Sequence, residues 1–362
     1  MNLFKPVIPK TRLHPNFRML SAKYTHYEKD VLQDWAKGFD DRDGKFVKEF
    51  QSTFNSSFWE LYLFAALKEL GLDVDFSHSA PDFVICNYWC EFSIEAVIAS
   101  NAMDAPPEWQ KDWEKLKNRN LDVVVDESTV RLANALTSKY QKYRDNYSSL
   151  DTVKDRPFVL AVAPFEQAWA HAVNDQAMLR VLYGYDKPEM RFSGGPRATA
   201  VRHLYKSEIR KASGAVIPLR FFLGGQMPEI SAVIFSNCAT SSKVTALSKN
   251  PDIEALFLTM RYNAHGDRAI MATTRKSEYR ETLLDGIRVF HNVDARYPLE
   301  SRIFDRPGVI QYFYERNGAS PKYFGTDGSL IQRNVIKFLG VSDLEKALAA
   351  LQPSSEELLQ NG

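Results

Sequence analysis

Between residues 58 and 70 the apolar positions recur at helical spacing. Trp59, Leu63, Ala66, Leu67 and Leu70 form one stripe, Asn55 or Ser56 is placed to cap the helix, and Gly71 supplies its stop. Glu60 stands on the neighbouring line, at the edge of that stripe. The period then changes to two. Residues 72–76, 82–86 and 88–98 read as strands, with a short hairpin turn at Asn87-Tyr88. A polar, proline-containing stretch (100–126) reads as a loop with a helical turn near 109–117. A long helix is expected over 127–147, with Leu132, Leu136, Tyr140 and Tyr143 on one side. The unbroken apolar run 157–163 predicts a strand buried on both faces.

The flanks are less regular. Residues 1–20 read as an extended arm, 27–39 as a short helix with Val31, Leu32 and Trp35 on one side, and 40–45 as a turn in which Gly44 is free to adopt positive φ. Beyond 163, helix is expected over 165–183 and an irregular basic loop over 184–214. Strands follow at 216–223, 230–236, 256–260, 287–291 and 309–314, then a helix over 342–351 and a frayed tail. The expected class is α/β, a mixed central sheet flanked by helices. Its organisation would be an N-terminal helical arm (1–53), a core (54–245) and a C-terminal α+β extension packed on that core (246–362).

Composition narrows the function classes. Forty-six Lys+Arg against 45 Asp+Glu leave a net charge of +1, so no global basic field draws the chain to a polyanion, and any such site is local. Three cysteines do not make a disulfide framework and suit a reducing cytoplasm. The N-terminus has no apolar core of a signal peptide, and no run of 18 apolar residues occurs, so neither secretion nor membrane insertion is expected. No P-loop, GxSxG elbow, HExxH or EF-hand loop is present.

Three carboxylates carry the candidate chemistry. Glu95 interrupts the apolar run FSIEAVIA, and a carboxylate in a buried strand needs a partner or an ion. With the turn at 87–88, Asp82 lies across from about Ser93 and diagonally near Glu95, while Glu91, Ser93 and Glu95 share a face. Glu60 completes the set if its helix packs over the hairpin. Taken alone, each residue has an ordinary explanation: Glu60 a solvated helix edge, Asp82 a turn residue after Pro81, Glu91 a surface residue. His78 is a lone loop histidine, and Cys86 and Cys90, flanking the turn, read as packed thiols rather than zinc ligands.

The order "helix with Glu60 in WELYL, strand, Pro81-Asp82 opening a strand, hairpin ending in Glu95 of SIEAV" resembles the PD-(D/E)XK restriction-endonuclease-like superfamily over roughly residues 54–165. The long helix and buried strand that follow fit the family's continuation. The resemblance implies a metal-dependent nuclease that hydrolyses phosphodiester bonds, with DNA the first substrate and RNA left open. Mg²⁺ or Mn²⁺ would be held by Glu60, Asp82 and Glu95, in service of restriction, repair or defence, and a homodimer is left open. Where the family has a lysine two residues after the glutamate, this chain has Val97. Lys139, with Lys142 second, is the candidate for a relocated lysine. The basic stretch with Arg197, Arg202, Lys206 and Arg210 is the candidate nucleic-acid contact, and aromatic residues 312–314 and Tyr323 could stack bases. The competing expectation is a non-catalytic nucleic-acid- or protein-binding module that keeps the fold without the chemistry.

Overall fold

The computed structural model describes residues 1–101, 105–110, 120–172, 175–192, 198–211, 213–251, 253–265, 268–315, 320–325 and 327–351. Its centre is an eight-stranded mixed sheet, labelled in chain order: β1 (Val74–Asp75), β2 (Phe83–Asn87), β3 (Cys90–Ser100), β4 (Phe158–Phe165), β5 (Ile230–Phe235), β6 (Ile287–His291), β7 (Val309–Phe313) and β8 (Lys322–Gly325). Spatial order follows chain order. The β1–β2–β3 part is antiparallel, β3, β4 and β5 are parallel, β6 runs against β5 and with β7, and β8 closes the far edge antiparallel to β7. Three strands from residues 246–362 (β6, β7 and β8) therefore belong to the same sheet as the hairpin.

β4 is buried along its whole length, as its apolar run requires between two parallel neighbours. Its side chains alternate between two cores. Val159, Ala161 and Ala163 join Ile94 and Ala96 of β3 on the face covered by α4 (Phe54–Glu69). Phe158, Leu160 and Val162 face α5 (Leu121–Lys142) and α6 (Gln176–Tyr183).

α4 is not the amphipathic helix its stripe suggested. From Phe54 to Leu67 only Ser56 and Glu60 escape full burial. Trp59 pins it to the sheet by donating its Nε1–H to the carbonyl of Ala161, 3.0 Å away. The helix starts at Phe54 without a side-chain cap, because Asn55 is turned to Glu108 (2.5 Å) instead. It ends as expected: Gly71 adopts φ +74°, and the Leu72 N–H returns to the Leu67 carbonyl.

Other expectations need correcting. The N-terminal residues are docked, not a free arm: Leu3 is fully buried, and buried Gln51 donates to the carbonyls of Leu3 (3.1 Å) and Lys5 (2.7 Å). Short helices α1 (Pro15–Leu20) and α3 (Phe46–Ser52) flank the expected one, α2 (His26–Trp35). α5 begins six residues early, because the Asn120 side chain caps it by accepting from the Asp122 N–H at 2.9 Å. Of the helix expected over 165–183, the described residues form one short turn (Ala170–Ala172) and α6. The supposed basic loop is mostly paired strand: Tyr185–Phe192 with Ala198–Tyr205, then Glu208–Arg210 with Val216–Pro218. A second sheet, Ile270–Arg275, Ala255–Arg261 and Leu330–Lys337, was only one-third anticipated. No helix among the described residues is long and apolar enough to cross a membrane.

Candidate functional site

The hairpin fixes the first two carboxylates. Its two-residue turn is Tyr88-Trp89, one residue later than the sequence suggested, so Phe83 pairs with Ile94 and Asn87 with Cys90. Continued one step, that register sets Asp82 abreast of Glu95, not diagonal to it. The shift of one at the turn moves the pairing by two residues, so the shared face survives. The Asp82 carboxylate accepts the Ala96 N–H at 2.7 Å, which holds it at the β3 edge.

Glu95 is 1% exposed and points to the α5 side of the sheet. Its Oε1 accepts from the ammonium groups of Lys139 (2.6 Å) and Lys142 (2.8 Å) and from the Tyr147 hydroxyl (3.3 Å). Its Oε2 is buried with no partner. The lysines are one helical turn apart, so their side chains share a face. Tyr147 escaped the sequence reading for a geometric reason. At Tyr143–Tyr147 the helix widens to an i→i+5 turn, which brings a residue five positions past Lys142 back onto the same side. The Lys142 ammonium also sits 4.8 Å from the centre of the Tyr147 ring. Burial alone would lower the Lys142 amine, but its bonds to Glu95 and Tyr147 outweigh that and hold it above its ordinary value.

Glu60 comes from α4, across the sheet from α5. Burial, then the charge of Asp82, pushes its carboxyl up to about 8. Burial, then Glu95, pushes Asp82 up to about 6, against the pull of the Ala96 N–H. The three acids and Lys139 thus feel one another, yet Glu60 and Glu95 approach from opposite faces. Among the described residues, no trio of acidic, histidine or cysteine side chains stands close enough to form a ready-made metal cage. What the group offers is hard oxygen donors, one of them the orphaned Oε2, and a cation holding several waters needs no more than one or two carboxylates.

The other candidates fall outside this group. Glu91 is exposed and paired with Arg156 at 3.0 Å, and His78 leans on Asp75 at 3.3 Å. Cys86 is exposed rather than packed; both hairpin cysteines are free. Lys206 is bound to Asp126 (3.2 Å) and Arg210 to Glu208 (3.5 Å), while Arg202 is exposed on the ribbon. Asp126 precedes Lys139 by thirteen residues of helix, about 20 Å along its axis, so Lys206 does not serve the Glu95 group. Arg197 lies outside the described residues. Tyr312 is buried with its hydroxyl on Asp175 and cannot stack a base. Compared with family models, with curated proteins and with solved structures, the chain matches none.

Proposed function

We propose that the chain is a metal-dependent nuclease of restriction-endonuclease-like fold, acting on phosphodiester bonds of DNA at the Glu95 group. The observation that carries this reading is one side chain: a buried strand glutamate with one oxygen on Lys139 and the other unpartnered, beside an aspartate whose carboxyl is driven up by burial and then by that glutamate. The order α4, antiparallel β1–β2–β3, α5 and parallel β4 is also the order the PD-(D/E)XK resemblance calls for.

Asp82, Glu95 and, less directly, Glu60 would hold Mg²⁺ or Mn²⁺, which when bound lowers the pKa of water and offsets phosphate charge. The chain's own cations do the rest. Lys139, one-quarter exposed, takes the place of the lysine absent at Val97, orienting the attacking water and stabilising charge on the phosphate. Lys142 fixes Glu95 while Lys139 is engaged, and Tyr147 orders Lys142.

The test is cleavage of plasmid DNA and of DNA and RNA oligonucleotides by purified protein with Mg²⁺ or Mn²⁺. Cleavage is expected, lost in Asp82→Asn and Glu95→Gln. Absence of cleavage, or cleavage indifferent to both substitutions, overturns the proposal. One observation favours a second reading, a binding module without chemistry: two ammonium groups already neutralise Glu95. That reading expects nucleic-acid binding by gel shift with no cleavage at any divalent-ion concentration.

A further inference from the structure

An open cavity of about 600 Å³ lies between the segment following the helix Ser241–Leu247 and the turn at 275–281, walled at one side by Val341. Its size suits a small ligand, and none of its lining residues belongs to the Glu95 group. Its charged lining is four cations, Lys249, Arg275, Lys276 and Arg280, against Glu254 and Glu281.

Most of the negative charge is already committed. Glu281 is bonded by fully buried Lys243 and by Arg333 behind the wall, and Arg275 takes Glu345 (2.8 Å) from the last helix. Among the described residues, no carboxylate is paired with Lys276 or Arg280. The half-buried Lys276 ammonium donates to the carbonyls of Ala246 (3.2 Å) and Ser248 (2.8 Å), and the Arg280 guanidinium donates to those of Ser277 (2.8 Å) and Tyr279 (2.9 Å). Burial, then Arg280, holds the Lys276 amine below its ordinary value, although Glu28 and Glu281 pull the other way. A charged amine disfavoured in its own pocket, beside a guanidinium that among the described residues is bonded to carbonyls alone, is stabilised by an anion. A phosphate group, with charge near −1.5 to −2 and three acceptor oxygens, matches converging Lys and Arg donors better than a single carboxylate does.

We propose that this cavity binds a phosphate-bearing small molecule, with Lys276 and Arg280 gripping the phosphate and the remaining volume taking the organic part. The site is independent of the nuclease reading.

Titration calorimetry on the full chain, with inorganic phosphate, AMP and citrate as probes, tests it. Saturable binding of AMP is expected, weakened about tenfold or more by Arg280→Ala, an exposed position whose side chain also holds two carbonyls, so the folding of this variant is checked as well. Lys276→Met should weaken it further, and folding of that variant is checked by circular dichroism because Lys276 also ties down two carbonyls. AMP binding tighter than phosphate identifies an organic phosphoester as ligand; equal affinities identify free phosphate, and both support the site. Absence of saturable binding by both, unchanged affinity in Arg280→Ala, or citrate bound as tightly as AMP overturns it.

Discussion

Lys139 and Glu95 meet at 2.6 Å, and the carboxylate they share with Lys142 is sealed in the sheet while the lysines reach it from partly open water. The pair does in space what adjacent sequence positions do not. The strand that carries the acid has Val97 at the next position on that face, and the cation arrives from a helix 44 residues later. A buried carboxylate of this kind would cost several kcal/mol if left alone.

Removing the lysines one at a time should therefore be mild, and removing both severe. Lys139→Met leaves Lys142 on Glu95 and is expected to cost about 1–2 kcal/mol. Lys142→Met should cost less, since that ammonium is the more exposed and better screened of the two. The double variant strands a buried charge and should lose about 3–5 kcal/mol, more than the singles sum to. Urea unfolding of the four proteins measures this; additive losses would show that the two ammonium groups do not share Glu95.

Stability should fall as pH rises across the neutral range. Glu60 has its carboxyl raised from an ordinary value near 4.5 to about 8, and Asp82 from near 3.8 to about 6. In both cases the folded chain holds the proton more tightly than the unfolded chain. Their favourable contribution is thus complete below the unfolded values and is lost as pH climbs through the folded ones. The midpoint of thermal unfolding is expected to drop between pH 5 and 8 by the range those values set, and Glu60→Gln should flatten the upper part of the drop. Added Mg²⁺ should recover stability at pH 8 in the parent and recover less in Asp82→Asn.

The sequence exposed those parts of the site that rest on period and punctuation. Gly71, Pro81 and the alternation around Glu95 placed a helix and a hairpin, and a turn misjudged by one residue did not disturb which side chains share a face. Lys139 could be named because the resemblance calls for a lysine, Val97 stands where one would be, and the helix after the hairpin carries the next candidates. The face covered by α4 could not be read, since a helix buried nearly all round carries no polar side to orient it. Tyr147 was hidden by a change of helical pitch, and the 185–205 ribbon by a composition that looks like a loop until its strands pair. The strands 322–325 and 330–337 are short, polar on much of their surface and held by long-range partners, which no local pattern encodes.

The Trp59 indole is the only side-chain tie between α4 and the middle of the sheet for which both ends are fully buried among the described hydrogen bonds. Trp59→Phe keeps most of the ring but drops the bond to Ala161 and leaves a small void. The expected loss is about 1–3 kcal/mol. Since the same helix positions Glu60, the pH dependence above should weaken in this variant as well. A full-strength pH response in Trp59→Phe would mean that Glu60 is held by the hairpin alone.

Away from the site, acid stability should be governed by Glu281. Its carboxylate is fully buried and bonded by Lys243, by Arg333 and, at 2.6 Å, by the Tyr279 hydroxyl. Burial would raise its carboxyl, but Arg333 and Lys243 outweigh that and hold it below the ordinary value near 4.5. The sign is opposite to that of Glu60: the contribution is present above the unfolded value and is lost as pH falls through the folded one. Glu281→Gln leaves two buried cations facing a neutral amide and should cost about 3–5 kcal/mol near neutrality. As pH falls through that lowered folded value the parent protonates Glu281 and forfeits the same interaction, so the gap between parent and variant should narrow toward acid. Chemical unfolding at pH 7 and in a descending acid series distinguishes the outcomes. An unchanged gap throughout the series would show that the two cations are stabilised by the surrounding carbonyls and not by this carboxylate.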